Sequence, residues 1–191
     1  MSETKKNEGI GRLVVVLGLI TLVCALLLGV VNQVTAPQIE QNNINTRNAA
    51  MAELIAGAEF EDMNVTEPAT KEEPTGISGV YKATIDGQDA GYCVEVQPSG
   101  FGGAMTLIVG VNADGTIAGA KVTAHGETPG LGAKAQADPE WIKQFAGKAA
   151  DGSLAVAKDG GDVVAITGAT ITSRAVTRGV NRAATYVASL G

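Results

Sequence analysis

The chain has 191 residues, which is enough for one globular domain of ordinary size and an additional anchoring segment. Of its 14 basic and 20 acidic residues, three basic and two acidic ones precede residue 32, which leaves a formal charge of −7 after it, against −6 for the whole chain. An acidic domain without a basic stripe argues against nucleic acid and against anionic lipid headgroups as partners.

The first predicted element is a membrane-spanning helix over residues 13–31, a run that contains no charged side chain. At 1.5 Å per residue the run spans roughly 28 Å, close to the hydrocarbon thickness of a bilayer. A cleaved signal peptide is the alternative, but its apolar core is usually only about 7–15 residues long. Lys5, Lys6 and Arg12 before the run predict a cytoplasmic segment over residues 1–12. The domain that follows is therefore expected on the outer face of a bacterial cytoplasmic membrane, anchored by a single pass.

Residues 32–76 are predicted to form a helical stalk followed by an acidic connector. Apolar residues recur at helical spacing from residue 39 to about residue 58. The members of this stripe are Ile44, Met51, Leu54, Ile55 and Ala58. The stretch 59–76 is rich in acidic residues and contains two prolines, so we expect it to be a solvated connector.

From residue 77 onward the sequence predicts short strands joined by turns. Four runs of β-branched, aromatic or alternating apolar residues are separated by glycine, asparagine and aspartate: 77–85, 91–96, 105–111 and 117–122. A meander of this kind is antiparallel, and it buries one face against helices that the rest of the chain supplies. We therefore predict an α+β fold for a domain over residues 77–191, in which an antiparallel sheet meander packs with helices behind one N-terminal transmembrane helix.

A shaped loop follows the last of these strands, from His125 to Gly132, and contains three glycines and one proline. Its glycines are compatible with a structural turn and with a close approach of the backbone to a flat ligand. His125 is the single histidine of the chain. We favour a loop-orienting or merely exposed residue over a proton shuttle. Cys24 and Cys93 lie in different segments and no Cys-x-x-Cys spacing occurs, so neither a disulfide framework nor a metal site is predicted.

Two amphipathic helices are predicted to cover the sheet. The first spans residues 139–145, where Trp141 and Phe145 lie four apart and pack on the core, and a short strand is predicted at 154–157. The second carries a buried stripe made of Ala175, Val176, Val180, Ala183, Ala184 and Val187. Arg174, Arg178 and Arg182 lie on another face of it, which we interpret as solvated in preference to a docking row or a phosphate contact.

The most informative stretch combines β-branched residues, a glycine turn and a cluster of hydroxyl groups. Residues 162–166 predict a buried strand, Gly168 allows a tight turn, and Thr170, Thr172 and Ser173 stand where the last helix should begin. Hydroxyl groups at that position commonly cap the first-turn N–H groups of the helix. The same N–H groups attract phosphate, so a bound or covalently attached phosphate ester is the other interpretation.

A resemblance favours the second interpretation. Residues 167–173, Thr-Gly-Ala-Thr-Ile-Thr-Ser, resemble the flavinylation motif of the FMN-binding domain family. That family includes the G subunit of the Rnf ion-translocating electron-transport complex and the C subunit of the related sodium-translocating NADH:quinone oxidoreductase. In it, a flavin transferase attaches FMN through a phosphoester bond to the last threonine of the motif, which is Thr170 here. The family usually has an acidic residue three positions before the motif, where this chain has Val164.

A second signature points to the same family. Residues 127–132, Glu-Thr-Pro-Gly-Leu-Gly, resemble its other signature, which lies against the flavin ring, and the short chain favours the Rnf type. The resemblance implies that Thr170 carries FMN covalently and that further cofactor-binding residues surround the phosphate: Thr167, Gly168, Ala169, Thr172 and Ser173. It implies a ring side made of Glu127, Thr128, Pro129, Gly130, Leu131 and Gly132. Lys134 would then supply positive charge near the flavin and favour its anionic reduced form.

The resemblance implies an electron-carrier subunit of a membrane redox complex, not a stand-alone enzyme. Its partners would be the other subunits and, during maturation, the flavin transferase. Ferredoxin and NAD would react at the cytoplasmic end without touching this chain, and ion movement would belong to other subunits because no polar row crosses the single apolar helix. Two alternatives stay open: a non-redox anchored binding domain in which Thr170 only caps a helix, and an FMN-dependent reductase of a small external substrate.

Overall fold

A computed structural model of the chain describes the backbone of residues 3–190 and the side chains from residue 11 onward. The predicted basic flank therefore falls partly outside the described residues, because the side chains of Lys5 and Lys6 are not among them. The first element is the long helix α1, Glu3–Leu54, which contains the predicted membrane span and continues through Pro37. Among the described residues, α1 is the one helix whose length and composition would allow it to cross a membrane.

The chain divides into two compact units, one up to Asn45 and one from Thr46 onward. The second unit begins with the C-terminal end of α1 and contains the whole sheet. Its five strands are β1 (Glu59–Asp62), β2 (Gly76–Ile85), β3 (Gln88–Gln97), β4 (Thr106–Asn112) and β5 (Ile117–Ala124). They are antiparallel and lie in the order β1-β2-β3-β4-β5, so the predicted meander and the α+β class are confirmed.

The predicted solvated connector is only partly a connector. Residues 59–62 form the edge strand β1, which pairs with β2 from Glu59 opposite Thr84 to Asp62 opposite Tyr81. A further bridge joins Glu67 to Ile77. Charged side chains protect an exposed sheet edge from pairing with another chain, so an acidic edge strand resembles a solvated loop in the sequence.

Helices cover both faces of the sheet. The helical elements after β5 include α2 (Lys134–Ala137), α3 (Pro139–Ile142), a 3-10 turn (Lys143–Phe145) and the long α4 (Thr170–Ala188). The predicted helix at 139–145 is thus α3 with its 3-10 extension. Asp138 is its N-cap, and its side chain accepts hydrogen bonds from the N–H groups of Glu140 and Trp141. The core between α4 and the sheet includes Val80, Val94, Leu107, Val109, Val176 and Val180.

The opposite face of the sheet packs against the end of α1. Met51 and Ile55 contact Tyr81, Cys93 and Ile108 there. Gly110 and Gly119 are partners in β4 and β5, and a Cβ on Gly119 would lie 2.9 Å from the Leu54 side chain. The absence of side chains at these two glycines therefore allows the helix to pack closely against the sheet. Burial in this layer raises the pKa of the Cys93 thiol to about 12.

The buried strand predicted at residues 162–166 is not formed. Only Val163 is bridged, in parallel to Val156, and 66% of Val164 is exposed. The backbone of Val164 forms its hydrogen bonds with side chains and not with a neighbouring strand. Its N–H donates to Gln144 Oε1 (2.8 Å), and its carbonyl accepts from Trp141 Nε1 (2.6 Å). The strand predicted at 154–157 is likewise reduced to this one bridge, followed by a 3-10 turn, Ala157–Asp159.

Candidate functional site

The hydroxyl groups at the start of α4 do not cap the helix. Ala169 occupies the capping position and makes no side-chain bond to the first turn. Ser173 Oγ instead accepts from the Ile166 N–H (2.9 Å) and donates to the Ala169 carbonyl (3.0 Å). The first-turn N–H groups have no intrahelical acceptor in any α-helix, and in α4 no side chain caps them. They therefore remain able to bind an anion.

Thr170 is half-buried at the first position of α4 and faces a lysine. Lys158 Nζ lies 3.4 Å from Thr170 Oγ1. Lys158 stands on the 3-10 turn, whose next residue, Asp159, is paired with Arg174 of α4 through two hydrogen bonds, one of 2.7 Å from Arg174 Nε. The hydrogen bond from Arg174 lowers the pKa of Asp159. This ion pair fixes the turn on α4 and so positions Lys158 beside the hydroxyl group of Thr170.

A second contact holds the same segment on α4. Asn181 Oδ1 accepts from the Leu154 N–H (3.1 Å), and Asn181 Nδ2 donates to the Leu154 carbonyl (2.7 Å). The segment that carries Lys158 is therefore anchored at both ends, by Asn181 and by Arg174. Anchoring at two points orders the backbone around Lys158 in advance. Binding of an anion by this lysine therefore costs less conformational entropy.

Thr170 and Lys158 line an open cleft of about 400 Å³. The cleft brings together both sequence signatures, and eight of the predicted residues line it: Glu127, Thr128, Leu131, Gly132, Gly168, Ala169, Thr170 and Thr172. The remaining predicted residues do not line it: Pro129, Gly130, Lys134, Thr167 and Ser173. Ser173 is fully buried beneath the motif, and Lys134 is outside the cleft on α2, so the lysine at the cleft is Lys158.

Three lining residues were not predicted as site residues: Phe101, Lys158 and Ile171. The glycines around Phe101 are the only sequence signal that could have indicated it, because they mark a sharply shaped turn. Nothing in the sequence distinguishes Lys158 from other lysines. Its position depends on contacts between segments that are distant along the chain.

Glu127 connects the parts of the site from within. Its side chain is only 6% exposed. Oε1 accepts from the Gly102 N–H (2.9 Å), and Oε2 accepts from the Thr172 hydroxyl (2.6 Å). Gly132 packs against the same pair, and a Cβ at Gly132 would collide with both side chains. The carboxyl group therefore ties the glycine turn around residue 102 and the loop 127–132 to the start of α4.

His125 orients the second signature. Its Nδ1 accepts from the backbone N–H of Glu127 (3.1 Å), a contact that fits the predicted loop-orienting role. The arginine row of α4 makes intramolecular contacts. Arg174 pairs with Asp159, Arg178 donates to the Ser99 carbonyl (3.3 Å), and Arg182 pairs with Glu67.

The lining of the cleft combines two kinds of chemistry. It includes the Thr170 hydroxyl, the Lys158 ammonium group and the start of α4, a combination that suits an anion. It also includes three apolar side chains: Phe101, Leu131 and Ile171. The site therefore fits a ligand that carries both a phosphate and a flat apolar body.

Comparisons with known proteins agree with this chemistry. Residues 100–185 match the FMN-binding domain, and residues 1–54 match the RnfG N-terminal region. The G subunit of the Na(+)-translocating ferredoxin:NAD(+) oxidoreductase complex of Acetobacterium woodii is 38% identical over 183 residues, covering 89% of this chain and 87% of that protein. The G subunit of the ion-translocating oxidoreductase complex of Pseudomonas aeruginosa is 35% identical over 190 residues, covering 92% and 87%. The protein of the same name from Vibrio atlanticus is 47% identical over 113 residues, covering 56% and 54%.

Proposed function

This chain belongs to the family of G subunits of Rnf-type ion-translocating oxidoreductase complexes, and from that membership we propose that it relays electrons through FMN held as a phosphoester of Thr170. The FMN-binding domain and the relatives make it an electron-transport subunit of such a complex. The observation that carries the covalent attachment is the Thr170 hydroxyl, which is free of any capping role and lies in the cleft beside Lys158.

Charge supports a phosphate at this hydroxyl. A phosphodiester formed on Thr170 Oγ1 would carry one negative charge next to the Lys158 ammonium group. The free N–H groups at the start of the 19-residue helix α4 would add hydrogen bonds and the positive end of its dipole. Gly168, with φ +77°, allows the tight turn that leads into this helix start.

The protein's own residues hold and orient the cofactor, while the flavin, when bound, supplies the redox chemistry. Glu127 and Thr172 keep the two signatures together, and Lys158 balances the phosphate charge. Covalent attachment prevents loss of the cofactor on a side of the membrane where it could not be replaced. The alternative of a non-redox domain depended on Thr170 as a helix cap, and Thr170 makes no capping bond.

We also propose the topology and the partners. The basic residues before α1's apolar segment favour a cytoplasmic N-terminus, which puts the FMN domain, residues 77–191, on the outer face. Residues 13–31 contain no charged side chain, so this helix offers no path for Na⁺ or H⁺. Ion movement would then belong to the other subunits of the complex, and a flavin transferase would be the partner during maturation.

The test is the intact mass of the full chain. Chain produced together with a flavin transferase should gain the mass of one FMN minus one water, on the peptide that contains Thr170. Chain produced without the transferase is the control and should keep its unmodified mass. An unshifted mass after maturation would overturn the covalent attachment.

Lys158→Gln should slow the attachment of flavin by about threefold, because an exposed ion pair of this kind contributes up to about 1 kcal/mol. Lys71→Gln, which removes an exposed lysine outside the cleft, is the matched control and should leave the rate unchanged. The measurement is the flavinylated fraction over time at fixed transferase concentration. Raising the salt concentration should reduce the difference between wild type and Lys158→Gln, since salt screens exposed charges. Equal rates for Lys158→Gln and wild type at low salt would contradict this role.

A further inference from the structure

Phe101 is an aromatic side chain held in solvent at the edge of the cleft. It is 72% exposed, whereas Phe145 of the same compact unit is fully buried. A single exposed apolar side chain is common on protein surfaces, but Phe101 also lines the cleft. Its ring is therefore available to contact a ligand that binds there.

The turn that carries Phe101 is fixed on both sides. The Gly100 N–H donates to the Gly103 carbonyl (2.8 Å), and the Gly102 N–H donates to Glu127 Oε1 (2.9 Å). Gly102 lies so close to the Gly126 carbonyl that a Cβ would collide with it. A turn held by these bonds keeps the ring at the cleft edge without help from core packing.

Two further exposed apolar side chains line the same cleft. Leu131 is 43% exposed and Ile171 is 49% exposed, and both line the cleft with Phe101. Leu131 packs over the turn at Gly168, where a Cβ would lie 3.0 Å from Leu131 Cδ2. The lining of the cleft thus includes three exposed apolar side chains in addition to the polar groups of Thr170 and Lys158.

We propose that Phe101 stacks on the isoalloxazine ring of the flavin and is the residue that positions this ring in the cleft. The inference rests on the proposed attachment at Thr170, which fixes the phosphate and leaves the ring to contact other residues that line the same cleft. Planar aromatic groups prefer offset or edge-to-face contact, and such contacts add to the burial of area. Leu131 and Ile171 supply the apolar wall that excludes water from the ring.

The test compares full-length chains, matured with the transferase, as wild type, Phe101→Ala, Phe101→Tyr and Ile85→Ala. Ile85 is exposed and lies outside the cleft, so it is the matched control. The readouts are flavin content, visible circular dichroism of the flavin, and quenching of flavin fluorescence by acrylamide. The last two report the surroundings of the ring and not the amount of folded protein.

Phe101→Ala should keep one flavin per chain, raise the acrylamide quenching constant roughly threefold and reduce the visible circular dichroism. Phe101→Tyr should restore the wild-type visible circular dichroism, because it retains an aromatic ring, and Ile85→Ala should match wild type in both readouts. Unchanged quenching and dichroism in Phe101→Ala would overturn the stacking role. Wild-type chain that gains no flavin would instead overturn the proposed attachment, so the two failures are distinguishable.

Discussion

Thr170→Ala is expected to abolish covalent flavin completely, because it removes the single oxygen to which the phosphate would be bonded. Thr170→Ser should retain the modification, since the hydroxyl stays and only a methyl group is lost. Thr170→Ala should lower the free energy of unfolding by less than about 0.5 kcal/mol, because Thr170 Oγ1 makes no hydrogen bond to the helix backbone. Intact mass and the visible absorption of the flavin after maturation measure the result.

Thr167→Ala is the matched control for this experiment. Thr167 begins the same motif, but its side chain is exposed and does not line the cleft. It should therefore be flavinylated like wild type. Covalent flavin that persists in Thr170→Ala and disappears in Thr167→Ala would move the attachment to the first threonine of the motif.

The second large effect is expected at Glu127. Glu127→Ala would leave the Gly102 N–H and the Thr172 hydroxyl without their acceptor. Glu127 itself is only 6% exposed, so water cannot readily replace its carboxyl group. Buried groups that lose a partner cost about 1–3 kcal/mol each, so the unfolding free energy should fall by about 2–4 kcal/mol. The fluorescence of Trp141, the single tryptophan, can follow urea unfolding of the full chain in detergent.

Glu127→Gln separates hydrogen bonding from packing. The amide oxygen can accept from Gly102 N–H while the amide N–H donates to the rotated Thr172 hydroxyl, so the loss should stay below about 1 kcal/mol. Thr172→Val in each background completes a double-mutant cycle and should reveal coupling with Glu127. If Glu127→Ala and Glu127→Gln unfold at the same urea concentration, the connecting role of this carboxyl group is wrong.

The meander could be predicted from the sequence because each strand alternates apolar residues between turn residues that stop it. Residues 106–112, for example, follow a glycine-rich turn and end before Asp114 and Gly115. Strand β1 escaped prediction because its charged residues belong to an exposed edge. Residues 162–166 have the composition of a strand, but the side chains of Trp141 and Gln144 bind their backbone, and sequence periodicity does not register such long-range contacts.

The candidate site was predictable where a motif carries its chemistry locally. Thr170 and Thr172, from one signature, and Leu131, from the other, meet in the cleft as the two signatures indicated. Lys158 could not be predicted, because it reaches the cleft through the pairing of Asp159 with Arg174. Glu127 was expected as a wall of the ring side, and its contacts give it a connecting role that only the folded chain reveals.

The buried thiol of Cys93 has a consequence for a flavin carrier in contact with oxygen. Reduced flavins that meet dioxygen release peroxide, which attacks thiolates and leaves neutral thiols largely untouched. With its pKa raised to about 12 and its side chain fully buried, Cys93 stays neutral and out of reach of solvent. Burial therefore protects Cys93 from peroxide for as long as the domain stays folded.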